Sequence, residues 1–244
     1  LGADVLRLWV ASSYYQNDVR ISSDIIKQLS EAYRKIRNTA RFVLGNLSDF
    51  DPDKDFCTDY EPLDRWALSR LSELVKKTTA AYDNYQFHIV YRSLYDFCVV
   101  DMSNIYFDVL KDRLYVEKAD GQKRRAAQTV IYQVLDAITR IMAPIVAFTS
   151  DEIWEAMPHR ASDDKLSPVF NAFPKAESID VSDVDWDALF ALREEVKKAL
   201  EEARNEKLIG APLDAAVTIT TPDADKLAEN TGLLRELCIV SGLK

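Results

Sequence analysis

The sequence predicts a mainly α fold, an antiparallel helical bundle followed by a small, incomplete α/β segment, on three observations. Apolar residues recur at three- and four-residue steps over long stretches, the spacing of one buried helix face. Only six glycines and eight prolines punctuate 244 residues, too few for a β architecture of many turns. Period-two alternation enters only after Gly210, where Leu213, Ala215, Val217 and Ile219 are spaced as in a strand.

Residues 1–21 read as a short helical entry. The pattern starts at Leu1, without an initiating Met, which suggests a piece of a longer chain. From Ser22 to about Leu47 the spacing predicts a long helix: Ser22 or Ser23 can cap it, Asp24 suits the positive end of its dipole, and Gly45 lies at its far end. Ile25, Leu29, Ala32, Ile36, Ala40, Val43 and Leu47 build its apolar face. An acidic connection follows, and Thr58-Asp59-Tyr60-Glu61 reads as a capping box for a helix running to about Tyr85. An aromatic-rich third helix is expected from Phe87 to about Leu110, and a fourth from about Gln122 to Ala143, where Pro144 interrupts it. Thr149-Ser150-Asp151-Glu152 offers a second capping box for a short helix that stops at Pro158. The Ser-, Asp- and Pro-bearing stretch from His159 to Asp185 is long for a loop and is expected to pack in part on the bundle. A last long helix spans about Asp185 to Glu206. After it come a strand, a short helix from Pro222 to about Asn230, and a second strand from Leu237 to Val240. These spans divide the chain at 22–206 for the bundle and 207–244 for the start of a further domain that the sequence does not complete.

Composition is that of a soluble globular protein, with 48% apolar and 29% charged residues. No apolar run approaches the roughly 18 residues that span a bilayer, and no basic-then-apolar leader is present, so neither membrane insertion nor export is expected. Cys57, Cys98 and Cys238 are odd in number and far apart, which points to free thiols in a reducing cytoplasm and to no metal site. The net charge of −9 is uneven: residues 49–64 hold seven acids against one base, and residues 177–206 ten acids against four bases. The remainder is therefore basic, and a partner senses local potential rather than the total.

Catalytic signatures are missing: no phosphate-binding glycine loop, no H-E-x-x-H, no G-x-S-x-G. His88 and His159 lie far apart with no cysteine near either, as packed or surface histidines do, and Asp151-Glu152 is explained by a helix start. The positive feature is a stripe on the first long helix. Lys27, Arg34 and Arg41 are seven apart and stay within about 20° of one line. Arg37 and Asn38 flank that line. Arginine suits phosphate because its planar fork donates two parallel hydrogen bonds and keeps its proton. Spacing alone favours a plain solvated face. Two smaller clusters, Lys111-Asp112-Arg113 and Lys123-Arg124-Arg125, border the next long connection, where helix ends routinely carry exposed cations. A helical protein-interaction scaffold would show the same stripe, whereas an enzyme with a site in the bundle core would need inward-facing carboxylate and histidine pairs.

Longer runs add a resemblance. Gly2-Ala3-Asp4-Val5-Leu6-Arg7-Leu8-Trp9-Val10-Ala11-Ser12 with Asp18-Val19-Arg20-Ile21-Ser22, then Lys27-Gln28-Leu29-Ser30-Glu31-Ala32-Tyr33-Arg34-Lys35-Ile36-Arg37-Asn38-Thr39-Ala40-Arg41-Phe42, resemble isoleucyl-tRNA synthetases of bacterial type. The first run is similar to the segment after the Lys-Met-Ser-Lys-Ser loop, the second to the opening helix of the anticodon-binding domain. The likeness continues in order through Leu110-Lys111-Asp112-Arg113-Leu114-Tyr115, Asp151-Glu152-Ile153-Trp154-Glu155 and Arg193-Glu194-Glu195-Val196-Lys197-Lys198. Valyl and leucyl enzymes share this class I architecture and are the alternative. The resemblance implies a tRNA-binding fragment, monomeric and cytoplasmic, with tRNA(Ile) as partner and neither DNA nor membrane. It implies that Lys27, Arg34, Arg37, Asn38, Arg41, Lys111, Arg113, Lys123 and Arg124 touch the tRNA. The His-Ile-Gly-His and Lys-Met-Ser-Lys-Ser signatures are missing, so catalytic residues and cofactors are expected only in the intact enzyme, with ATP, magnesium and possibly zinc.

Overall fold

The computed structural model describes residues 2–221 and 229–244. The chain forms two compact units, one through Ile179 and one from Asp180 to Lys244.

The regular elements of the first unit are helices, joined by irregular stretches at 47–61 and after 156. Helix α1 (Ala3–Ser12) buries Asp4, Val5, Leu8 and Ala11, one face at helical spacing. It is tied to the α6–α7 corner at two points. Arg7 donates to the carbonyls of Ile145 (2.6 Å) and Pro144 (2.9 Å), while Asp4 accepts from the backbone N–H (2.7 Å) and hydroxyl (2.5 Å) of Thr149. Helix α2 (Ser23–Asn46) is capped by Ser22, whose hydroxyl accepts from the Ile25 N–H, and it buries Leu29, Ala32, Ile36, Ala40 and Val43 as the spacing predicts. Gly45 lies within its last turn and takes no left-handed conformation.

The cap of helix α3 (Pro62–Asp83) lies three residues later than the sequence suggests. Pro62 needs no N–H donor at the first turn, and Asp64 accepts from the Glu61 N–H at 3.1 Å, so the box is built on Glu61 and Asp64 rather than on Thr58. Tyr85, at φ 55°, turns the chain into α4 (Phe87–Asp96). From there the helical path continues through a π-helical stretch, Phe97–Tyr106, into α5 (Phe107–Tyr115), past the expected end at Leu110. The widened turns are braced where Thr39 (3.4 Å) and Ser103 (2.8 Å) both donate to the Cys98 carbonyl.

Helix α6 (Gln122–Met142) packs against α2, α3, α5 and α7 and buries residues on nearly every side over 126–142. Helix α7 (Ala147–Ala156) starts before Thr149, which lies inside its first turn, held by Asp4 instead of acting as a cap. The following segment packs on the bundle as expected. Trp154 donates to the Asp164 carbonyl at 3.1 Å, Arg140 to that of Ala172 at 3.2 Å, and the Ser72 hydroxyl to that of Glu177.

In the second unit, α8 (Trp186–Asn205) is capped by Asp185, which accepts from Ala188 N–H at 3.1 Å. It packs on α9 (Thr231–Cys238), and its buried Arg193 donates to the Leu237 carbonyl at 2.9 Å. This unit begins at Asp180, ahead of α8, and α9 covers the apolar side of α8. Strand β1 (Ala216–Val217) pairs in parallel with β2 (Gly242–Leu243). The second strand falls beyond the expected 237–240, because Leu237 and Cys238 complete α9 and Ile239 turns at φ 55°. The helix expected from Pro222 lies, over 222–228, outside the described residues.

Candidate nucleic-acid interface

The candidate interface is the outer face of α2. Its apolar stripe fixes the rotation of the helix against α6, so residues half a turn away face water. Lys27, Arg34, Arg37, Asn38 and Arg41 are all exposed. Among the described residues the side chains of Lys27, Arg37, Asn38 and Arg41 make no hydrogen bond or ion pair. Arg34 pairs with Glu31 one turn back, but both side chains are at least half exposed, and such pairs contribute only about 0.3–0.5 kcal/mol. Little holds these cations to the protein itself. Lys35, which the sequence reading passed over, lies beside the stripe and donates to the Tyr95 hydroxyl at 3.1 Å.

The two smaller clusters divide. Lys111 is exposed and pairs with Asp108 at 2.9 Å; Lys123 is exposed and pairs with Glu61 at 3.0 Å. Arg113 and Arg124 do not reach the surface in the way the sequence reading placed them. Arg113 is 7% exposed and donates at 2.8 Å to Asp64, which is fully buried and also accepts from the Tyr106 hydroxyl at 2.6 Å. Arg113 shares the inward face of α5 with Leu110 and Leu114, and the buried carboxylate draws the guanidinium in. Arg124 makes a bidentate pair with Asp49 at 2.7 and 3.0 Å and donates to the carbonyls of Leu114 and Ala119. These contacts fasten the acidic connection to α6. Hydrogen bonding from Arg124, ahead of the opposing effect of burial, brings the Asp49 carboxyl down to about 2. Both arginines act inside the protein, and neither joins the candidate interface.

Burial pushes the Cys98 thiol up to about 12 and that of Cys238 to about 11, and all three cysteines are free. His159 donates from Nε2 to the Trp154 carbonyl at 2.8 Å, and the His88 ring stands edge-on to Tyr14 at 5.1 Å. Among the described residues no cluster of three His, Cys, Asp or Glu could hold a metal ion, and no helix is long and apolar enough to cross a membrane.

The comparisons with known proteins agree with a nucleic-acid role. Isoleucine–tRNA ligase of Syntrophotalea carbinolica is 49% identical over 223 residues, which is 91% of this chain and 24% of that protein. The same-named protein of Caldicellulosiruptor saccharolyticus is 47% identical over 251 residues, 100% of this chain and 27% of that one. That of Caldanaerobacter subterraneus is 51% identical over 224 residues, covering 89% and 24%. The chain thus spans about a quarter of the length of these relatives. Residues 64–219, well over half of the chain, match the family described as the anticodon-binding domain of tRNA ligase. On that match the chain belongs to the family of anticodon-binding domains of tRNA ligases.

Proposed function

We propose that this chain is the anticodon-binding part of an isoleucine–tRNA ligase, and that it grips tRNA(Ile) along the phosphate backbone through the outer face of α2. In the whole protein isoleucine, ATP and tRNA would give isoleucyl-tRNA, AMP and pyrophosphate, with magnesium serving the nucleotide and the chemistry carried by residues outside this chain. The cytoplasm, where charged tRNA is used, is the setting that fits. The observation that carries the reading is the set of exposed cations on one helix face, most of them without a carboxylate partner among the described residues. Duplex RNA hides its base edges in a deep groove, so rigid basic helices meet phosphate and ribose. Arg113 and Arg124 are left out of the proposed contact set; Lys27, Arg34, Arg37, Asn38 and Arg41 form it, with Lys111 and Lys123 as outlying members.

Replacing Arg34 and Arg41 together with alanine is expected to weaken binding of cognate and non-cognate tRNA alike. The slope of log affinity against log salt should flatten by about one unit per lost contact. Filter binding at several salt concentrations reads both. Binding and slope equal to the parent's would mean the stripe is a solvated face, and a loss confined to isoleucine tRNA would mean these arginines read bases.

A further inference from the structure

A cavity of about 230 Å³ lies between α3, α6 and the segment that packs across them. Its floor is apolar, from Leu68, Leu71 and Val75, and its walls are fastened by the Ser72–Glu177 hydrogen bond on one side and by Arg140 on the other. Among the described residues, three donors that line it have no acceptor. Arg160 is held by aromatic rings, 4.8 Å from the centre of Phe56 and 5.6 Å from that of Tyr132, and its guanidinium makes no hydrogen bond or ion pair. The Tyr132 ring is buried, and its hydroxyl opens on the cavity and makes no hydrogen bond among the described residues. Lys175 stands at the mouth, exposed and unpaired.

We propose that this cavity is a phosphate-binding site, in which Arg160, Tyr132 and Lys175 donate to the oxygens of one phosphate group. A guanidinium stacked on rings keeps its N–H edges free for a planar pair of bonds to an oxyanion. The Tyr132 hydroxyl, which opens on the cavity, can exchange water for a ligand oxygen. Two carboxylates share the lining. Asp136 is engaged by Arg140 at 2.9 and 2.7 Å, and burial raises its pKa against the opposing charges of Arg140 and Arg160. Glu177 lies exposed at the mouth, opposite Lys175 in charge. The volume exceeds several waters at about 30 Å³ each, so a sugar or base attached to the phosphate has room over the apolar floor. The phosphate can come from a free mononucleotide or from an RNA strand; only the second source rests on the function proposed above.

Calorimetric titration of the chain with inorganic phosphate, AMP and a short unstructured oligoribonucleotide at low salt tests the site. Saturable one-to-one binding of phosphate or AMP is expected, weakened about tenfold or more by Arg160→Gln. Tyr132→Phe should weaken it by a smaller factor while keeping the ring packing on Phe50, and Lys175→Ala, at an exposed position, should weaken it without touching the core. The Arg34→Ala/Arg41→Ala variant should leave it unchanged, which separates this site from the stripe. Displacement of AMP by the oligoribonucleotide assigns the phosphate to a strand; AMP binding that the strand leaves undisturbed assigns it to a mononucleotide. No saturable binding of any of the three, or binding that Arg160→Gln and Tyr132→Phe both leave intact, overturns the proposal.

Discussion

Arg113 and Arg34 stand in similar sequence surroundings, each among charged neighbours near the end or along the face of a helix, yet they do opposite things. Arg34 is free to exchange its exposed carboxylate partner for a phosphate. Arg113 is bound to a carboxylate that has no contact with water, and removing one member of such a pair strands the other charge in a medium of low dielectric. Arg113→Ala is therefore expected to destabilise the first unit by about 3–5 kcal/mol, read by denaturant unfolding. Its effect on tRNA affinity, measured where the variant is still folded, should be absent. A stable variant with a flattened salt slope would show that Arg113 meets RNA after all. The difference was partly legible: Leu110, Arg113 and Leu114 share one side of a helix turn, so Arg113 is in phase with an apolar face. Spacing does not disclose Asp64, 49 residues away, that makes this position habitable for a cation.

At the scale of elements, helix existence followed from periodicity, and helix ends did not. Both expected capping boxes moved. At α7 a distant element supplied the partner, since Asp4 on α1 satisfies the first turn through Thr149, whereas at α3 the shift is local, with Pro62 in the first turn and the box on Glu61 and Asp64. The acidic connection between α2 and α3 is likewise organised from α6. Arg124, Arg125 and Gln128 converge on Asp49, so a stretch that reads as seven acids in solvent is pinned at one end by arginines. The linkage has a definite sign. The folded Asp49 carboxyl, at about 2, lies below its ordinary 3.8, so its contribution is complete above about pH 4 and is lost as pH falls through about 2. Asp49→Asn should flatten the fall in stability over that window while lowering stability at neutral pH, as acid titration followed by tryptophan fluorescence would show. An acid limb identical to the parent's would remove Asp49 from the account.

On the scale of the whole molecule, the chain closes two cores, and the last long helix belongs to the second. A chain ending at Ile179 is expected to fold cooperatively on its own, because the buried residues of α1 to α7 find their neighbours within it. Circular dichroism with a single sharp thermal transition would support this; a molten chain without one would show that the first unit needs residues beyond 179. By itself the sequence determined the helical class, the long helices, the apolar stripe of α2 with the cations opposite it, and the likeness to tRNA ligases. Each of these is a local or near-periodic property, readable from residues within a few turns of one another. Tertiary structure alone decided which cations are available to a ligand. It turned Arg113 and Arg124 inward and gathered Arg160, Tyr132 and Lys175 around one cavity from positions 132 to 175. The physical reason is that a charged side chain goes where its counter-charge and its solvent are, and both are set by elements that meet only when the chain has folded.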